Sequence, residues 1–198
     1  MTIWTCKGPL AAFGVMLLTA CEGGQGLGAS SGAAKPPLSR AKMAGGVELV
    51  APDGFCIDQT SLEARFAVIA RCDGLGAPAS AGAAPRGLIT VSLTQSKPGS
   101  LPSAQQIAAE TSLQNVSDVE KGDQSVTFRA QGRIPVGGLS PNQWRGVARM
   151  GTQTAGIAVY GPERGEIVSA SGRRVLTQLI TRSIDASAPA KTTVAQRN

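Results

Sequence analysis

Three arginines in two apolar segments have the residue type and spacing of an anion-binding surface. Arg145 and Arg149 lie in one segment, where alternation places both on one face of a predicted strand. If the strand that carries Arg129 pairs with this one, all three guanidinium groups share a face. Clustered guanidinium groups bind phosphate, carboxylate or acidic polymers. The alternative is a solvated strand face that has no ligand.

Three aspartates that flank a pair of cysteines are the second candidate for chemistry. Asp53, Asp58 and Asp73 converge if their segments pair, and convergent carboxylates perform acid–base catalysis or hold a hard cation. However, Asp53 and Asp73 are each followed by glycine, which is typical of turn residues. We therefore assign no catalytic residue and no metal ligand, and Asp58 is the least explained of the three.

The residue types that are missing exclude several classes of function. The chain has no histidine. Ser-His-Asp and Cys-His catalysis and every zinc site that contains histidine are therefore excluded. No glycine-rich phosphate-binding motif lies between a strand and a helix. We therefore expect no cofactor.

Charge and aromatic content restrict the possible partners. The formal net charge is +6 at pH 7, and only 4% of the residues are aromatic. A stacking surface for single-stranded nucleic acid requires successive aromatic faces, so we expect no nucleic-acid partner. The basic charge instead favours anionic lipid or an acidic envelope polymer, or it serves solubility alone.

Short strands and two helices must position these residues. Apolar runs and alternation predict strands at 47–50, 55–58, 66–72, 88–94, 125–131, 144–150, 155–160 and 166–170, of which the last two form a hairpin. Ser100 is a candidate N-cap for a helix that ends near Leu113, and an apolar stripe from Val175 to Ile184 predicts an amphipathic helix. With so few helices for crossovers, the pattern favours one α+β domain at 47–185, an antiparallel sheet with one or two helices packed on it.

The order of these elements resembles that of the PsbP and Mog1-like α+β proteins. In that family an N-terminal hairpin, a central helix, a run of antiparallel strands and a final helix form one sandwich. The resemblance covers 47–184 and implies the same sandwich, without a diagnostic motif. The stretch from Val50 to Asp58 also resembles segments of uncharacterised alphaproteobacterial exported proteins, which implies no known activity.

The N-terminal segment predicts export. Lys7 precedes an apolar run that is too short to span a membrane, as in a secretory signal. The run ends in Leu18-Thr19-Ala20-Cys21, which resembles the lipobox of bacterial lipoproteins. This resemblance implies a signal peptide at 1–20, a lipidated Cys21 as the mature N-terminus and a location facing the periplasm. Glu22 after the cysteine implies the outer rather than the inner membrane.

The remaining cysteines follow from this prediction of export. Cys6 would leave with the signal peptide, so Cys56 and Cys72 remain as a pair in an oxidising compartment. We predict that they form a disulfide, since redox-active pairs are usually more closely spaced. The glycine-rich segment 21–46 is typical of a flexible tether, and the polar tail 186–198 is typical of a disordered end.

The sequence supports two functional hypotheses. The first is a non-enzymatic interaction or assembly domain, attached to the membrane by lipid and facing an envelope protein or an anionic envelope polymer. The second is a periplasmic ligand-binding protein or hydrolase that uses the aspartates or the arginine face. A pocket with convergent carboxylates would favour the second hypothesis, and a flat apolar or basic patch would favour the first.

Overall fold

The structure is a computed structural model that describes residues 35–77 and 84–188. Within these ranges the elements are β1 (Arg40–Lys42), β2 (Glu48–Val50), β3 (Phe55–Ile57), β4 (Phe66–Arg71), β5 (Leu88–Gln95), α1 (Ala104–Glu110), β6 (Gln114–Lys121), β7 (Ser125–Gln131), β8 (Asn142–Met150), β9 (Gln153–Tyr160) and α2 (Ala170–Ser187). Short 3-10 helices lie at Ala44–Gly46, Asp73–Leu75 and Glu166–Val168. The predicted signal peptide, Cys21, most of the predicted tether and most of the predicted tail lie outside the described residues.

The larger sheet is antiparallel throughout. Seven strands of the described residues form it in the order β3-β4-β5-β9-β8-β7-β6, and β1 and β2 form a separate two-stranded sheet. Two helices accompany these sheets. The predicted α+β fold, a mainly antiparallel sheet with one or two helices packed on it, is therefore confirmed.

The two helices lie on opposite faces of the larger sheet, which we call the α2 face and the α1 face. On the α2 face, Leu176 and Leu179 of α2 are fully buried in a core that includes Ile157 of β9. On the α1 face, Ile107 packs with Phe128 of β7 in a smaller cluster. Because α1 has only seven residues and contacts β6 and β7, it leaves the other side of this face uncovered by any described element.

The first helix begins later than its sequence predicts. Ser103, and not Ser100, is the N-cap of α1: its hydroxyl accepts from the backbone N–H of Gln106 at 3.2 Å. The Gln106 side chain accepts in return from the backbone N–H of Ser103 at 2.8 Å. This reciprocal pair is a capping box, which satisfies two helix-end donors at once and therefore favours Ser103 over Ser100.

The predicted strand at 166–170 and its hairpin with 155–160 are wrong. Residues Glu166–Val168 form a 3-10 helix, and α2 follows directly at Ala170. The strand β9 has β5 on one side and β8 on the other, so no edge remains for a further strand. Ile167 and Val168 are apolar because they are buried beneath the start of α2, not because they belong to the sheet.

The packed domain begins before the predicted boundary at Val47. Arg40–Lys42 form β1, which pairs with β2, although these residues were predicted to belong to the tether at 21–46. Ala41 and Met43 are both 7% exposed and belong to the main core. Leu38 also bridges to Ile57 of β3 through two backbone hydrogen bonds. Burial of these apolar side chains explains why a glycine-rich segment joins the fold.

Within the described residues, neither helix has the length and apolar character needed to cross a membrane.

Candidate functional site

The register between β7 and β8 separates the three predicted arginines. Phe128 lies opposite Arg145, and Arg129 lies opposite Trp144. Directly opposed residues of an antiparallel pair share a face, so Arg129 belongs to the α2 face with Trp144. Arg145 and Arg149 belong to the α1 face. The predicted surface of three guanidinium groups on one face therefore does not form.

The guanidinium of Arg149 already has a hydrogen-bond partner in a neighbouring loop. Its guanidinium donates a hydrogen bond from Nη2 to the carbonyl oxygen of Gly99, in the connection between β5 and α1. Arg149 and Arg145 are also about 13 Å apart along the strand, at roughly 3.3 Å per residue. One small anion therefore cannot bind to both arginines. Arg149 instead stabilises the position of the loop that leads into α1.

Of the three predicted arginines, Arg145 is the one that remains available to bind an anion. It is half-buried, and its Nε atom is buried without a hydrogen-bond partner. No acidic side chain among the described residues forms an ion pair with it. Its guanidinium carbon lies 5.5 Å from the centroid of the Tyr160 ring, within the range of a cation–π contact. This contact orients a positive charge that lacks a counter-ion.

The surroundings of Arg145 have two opposing effects on its pKa. Burial, the larger effect, lowers the pKa of Arg145 below its usual value, and the adjacent Tyr160 side chain opposes this change by favouring the charged form. An arginine keeps its proton at neutral pH even after such a change. Arg145 is therefore a partly desolvated, permanent cation.

Arg145 lines a groove on the α1 face, which we call the Arg145 groove. It has a volume of about 170 Å³. Ile107 of α1 and Thr111, the C-cap residue of that helix, form one wall, and Thr90 and Ser92 of β5 form the other. The groove lies between β5 and α1, which packs on the β6 and β7 side of the sheet.

Small residues of β9 form the floor of the Arg145 groove. Gly156 and Ala158 both line it, and neither has a side chain that could fill it. A Cβ atom built at Gly156 would meet Ser92 Oγ at 3.2 Å and no other side chain within 4 Å. A larger residue at Gly156 would therefore project into the groove rather than into the core.

Hydroxyl groups surround the opening of the groove. Ser92 donates to the Gly156 carbonyl at 3.3 Å, and Thr111 donates to the Ile107 carbonyl at 2.6 Å. The Thr90 hydroxyl makes no hydrogen bond to the described residues. Because a hydroxyl rotates freely, Thr90 and the weakly held Ser92 can both donate to an oxygen that enters the groove.

The three predicted aspartates do not form a site. Asp53 accepts a bidentate pair of hydrogen bonds from Arg182, and Asp73 accepts a similar pair from Arg71. Asp58 accepts from the backbone N–H of Thr60 at 2.9 Å and from its hydroxyl at 2.8 Å, and so stabilises a turn. No group of three acidic, cysteine or histidine residues with metal-binding geometry occurs in the described part of the chain.

The cysteine pair forms the predicted disulfide. Cys56 lies in β3 and Cys72 follows β4, and their Cα atoms are 4.8 Å apart. The two strands are neighbours, with Cys56 opposite Ala70 in register. The bridge fastens the short edge strand β3 to the sheet. The predicted lipidation residue, Cys21, lies outside the described residues.

Sequence reasoning identified Arg145 but missed most of the groove around it. Thr90 and Ser92 appear in the sequence only as the polar positions of an alternating strand, and Gly156 only as a small residue in another. No sequence signal indicates that β5 and β9 are adjacent or that α1 stops short of them. The one available clue is that the polar face of β5 is rich in hydroxyl residues.

Comparisons with known proteins show a weak likeness of fold. No protein-family model matches the chain, and no curated protein sequence matches it. The Saccharomyces cerevisiae Ran-binding protein Mog1p is similar in structure, with a TM-score of 0.47 and 12% identity over 75% of this chain and 97% of that protein. A point mutant of protein Mog1 is similar with a TM-score of 0.46 and 14% identity, over 73% of this chain and 93% of that one.

Proposed function

We propose that this protein is a lipid-anchored, non-enzymatic binding domain that faces the periplasm of a bacterium. The lipobox-like residues Leu18 to Cys21 support the anchor, and Glu22 supports the outer membrane as its location. The disulfide between Cys56 and Cys72 is consistent with this oxidising compartment. The domain would then act on partners within reach of the membrane surface.

One observation carries the binding role: the α1 face holds a groove with an unpaired, half-buried arginine. Arg145 is partly desolvated, and no acidic side chain among the described residues compensates its charge. A ligand that supplies a negative charge would compensate it. Perturbed and unpaired charged groups in concave sites are characteristic of functional positions.

The alternative of a hydrolase finds less support in the same geometry. Each of the three candidate aspartates is held by a local partner, and none of them lines the Arg145 groove. The other half of that hypothesis, a ligand-binding protein, remains supported, because the groove is large enough to hold a small ligand. The two hypotheses therefore merge into one anchored domain that binds an anionic partner.

Two experiments test the anchor and the binding role separately. Metabolic labelling with palmitate and membrane fractionation of the C21A variant test the anchor. We expect the label to disappear and the protein to move into the soluble periplasmic fraction, whereas C6A should behave as wild type. An unlabelled wild-type protein, or a mature N-terminus at a residue other than Cys21, would refute the anchor.

Sedimentation with isolated cell envelopes tests the binding role without the lipid. The C21S form should sediment with the envelopes, and C21S/R145Q should remain largely in solution. C21S/R129Q is the matched control, because Arg129 is a half-buried arginine on the neighbouring strand but on the opposite face. Equal sedimentation of all three forms would place the binding surface elsewhere.

A further inference from the structure

We propose that the Arg145 groove binds a carboxylate group carried on a short apolar carbon chain. This inference rests on the proposed binding function and assigns its ligand class. The ligand would enter between α1 and β5, place its carboxylate against the guanidinium of Arg145 and rest its carbon atoms on β9. Two kinds of molecule carry such a carboxylate: a small carboxylic acid and the C-terminus of a peptide.

The charge of Arg145 favours an anion with a single negative charge. The groove has one guanidinium group, and no other lysine or arginine lines it. A planar guanidinium pairs with a carboxylate through two parallel hydrogen bonds, and this geometry is the most specific one available to arginine. A phosphate group carries more charge and usually recruits several cations, which the groove does not provide.

The hydroxyl groups of β5 complete the polar end of the site. Thr90 has no partner among the described residues, and the bond from Ser92 to the Gly156 carbonyl is long at 3.3 Å. Both hydroxyls lie on the wall across from α1 and can donate to carboxylate oxygens. The Nε atom of Arg145 is buried, so the carboxylate would meet the terminal nitrogens of the guanidinium.

The remainder of the lining is apolar and small. Ile107 and Val147 stand beside the groove, and Ala158 lies in its floor. A volume of about 170 Å³ is below the roughly 300–1,000 Å³ of pockets that hold drug-sized molecules. The groove therefore accommodates a carboxylate and a few carbon atoms rather than a sugar ring or a nucleotide.

Titration of the purified protein with small probes tests this inference. Propionate represents a small acid, and N-acetylalanine represents a peptide C-terminus. Propionamide and N-acetylalanine amide are their uncharged counterparts, and inorganic phosphate is the competing anion. Calorimetry gives the affinities, and the NMR signal of the Arg145 Nε–H group reports changes at the guanidinium.

We expect both carboxylates to bind in the millimolar range and to shift the Arg145 Nε–H signal. The amides should bind at least about tenfold more weakly, because they cannot form charge-assisted hydrogen bonds. The variant R145Q should lose at least about tenfold in affinity, and R145K should lie between it and wild type because lysine lacks the planar fork. R129Q should match wild type.

A second variant keeps the inference testable if R145Q does not fold. G156V leaves Arg145 in place, suits a strand and fills the floor of the groove. It should therefore abolish carboxylate binding while the protein still unfolds cooperatively. The relative affinities of propionate and N-acetylalanine then distinguish a small acid from a peptide end.

Several outcomes would overturn the inference. These are unchanged carboxylate affinity in both R145Q and G156V, no shift of the Arg145 signal, or tighter binding of phosphate than of propionate. If the C21S protein still sediments with envelopes under any of these outcomes, the proposed function survives and only the ligand assignment fails. If carboxylates bind but envelopes do not, the ligand class holds and the envelope role fails.

Discussion

Arg145 lies opposite Phe128 in the register between β7 and β8, one position away from the pairing of Arg129 with Trp144. This single position decides which arginine reaches the α1 face. Phe128 is fully buried beneath α1, and Arg145 continues the same row toward the uncovered part of the sheet. A buried aromatic residue and an available cation thus mark the boundary between the covered and open parts of one face.

The Tyr160 ring should hold Arg145 in position for its ligand. We expect Y160F to keep the ring contact and to bind propionate more tightly than Y160L does. Y160L should remove the cation–π contact, which is worth about 0.5–2 kcal/mol. It should weaken propionate binding by a corresponding amount. Calorimetry measures the affinities, and the Arg145 Nε–H signal should lose dispersion in Y160L alone. Equal binding by both variants would show that the ring does not orient the guanidinium.

Gly172 should be essential to the junction between the 3-10 helix and α2. Alanine is favoured over glycine inside a helix by about 1 kcal/mol, so propensity predicts that G172A is stabilising. In the fold, however, an added Cβ would overlap the Ile167 carbonyl oxygen and lie 2.5 Å from Trp144 Cδ1. We therefore expect the opposite sign, a loss of about 1–3 kcal/mol, as for overpacked sites.

Urea unfolding of G172A measures this loss. The control is T177A, at an exposed position of the same helix, where alanine should raise stability by about 0.5 kcal/mol at most. If G172A also raised the unfolding midpoint, the close approach of α2 to Ile167 would not persist in solution.

Local alternation was enough to predict the strands and helix that have one apolar side. The strand 125–131 was predicted with the bounds that β7 has, and its inward residues Val126 and Phe128 are buried. The helix α2 was predicted from its stripe over Val175 to Ile184, and three of the stripe residues, Leu176, Leu179 and Ile180, are almost fully buried. In these elements the side-chain pattern along one segment determines its own structure.

Relationships between segments could not be predicted in the same way. Alternation shows that Arg145 and Arg149 share a face, but the face of Arg129 depends on the register of two strands. A shift of one residue reverses every side chain, and the sequence of one strand does not contain that information. The strand β6 was missed because nearly all of its residues are exposed and show no apolar period.

The disulfide should stabilise the edge of the sheet. Replacing both cysteines, as in C56A/C72A, should lower the free energy of unfolding by about 3 kcal/mol, because the unfolded chain regains the entropy of the open loop. Unfolding in urea measures the change, and reduction of the wild-type protein should reproduce it. Hydrogen exchange should rise mainly in β3, the short strand that the bridge fastens to β4. Unchanged stability after both treatments would contradict a structural role for the bridge.

The ion pair between Asp53 and Arg182 should make stability depend on pH in the acidic range. Arg182 donates to both carboxylate oxygens of Asp53 at 2.8 and 3.0 Å, and Gln178 donates to one of them at 2.6 Å. These hydrogen bonds, with that of Arg182 the largest, lower the pKa of Asp53 from its ordinary value of 3.8. They fasten the loop between β2 and β3 to α2.

A carboxylate whose pKa is lower in the folded state stabilises the fold above its unfolded pKa and loses this contribution as the pH falls through the folded value. We therefore expect D53N to have a lower Tm than wild type at about pH 6, with the difference shrinking below about pH 4 and vanishing once wild-type Asp53 is protonated. R182Q should show the same convergence, since it removes the other partner. D123N is the matched control, because Asp123 is exposed and forms no ion pair with the described residues, and its Tm should follow wild type throughout. A Tm difference for D53N that stays constant from about pH 6 to about pH 2 would mean that Asp53 acts through turn geometry rather than through its charge.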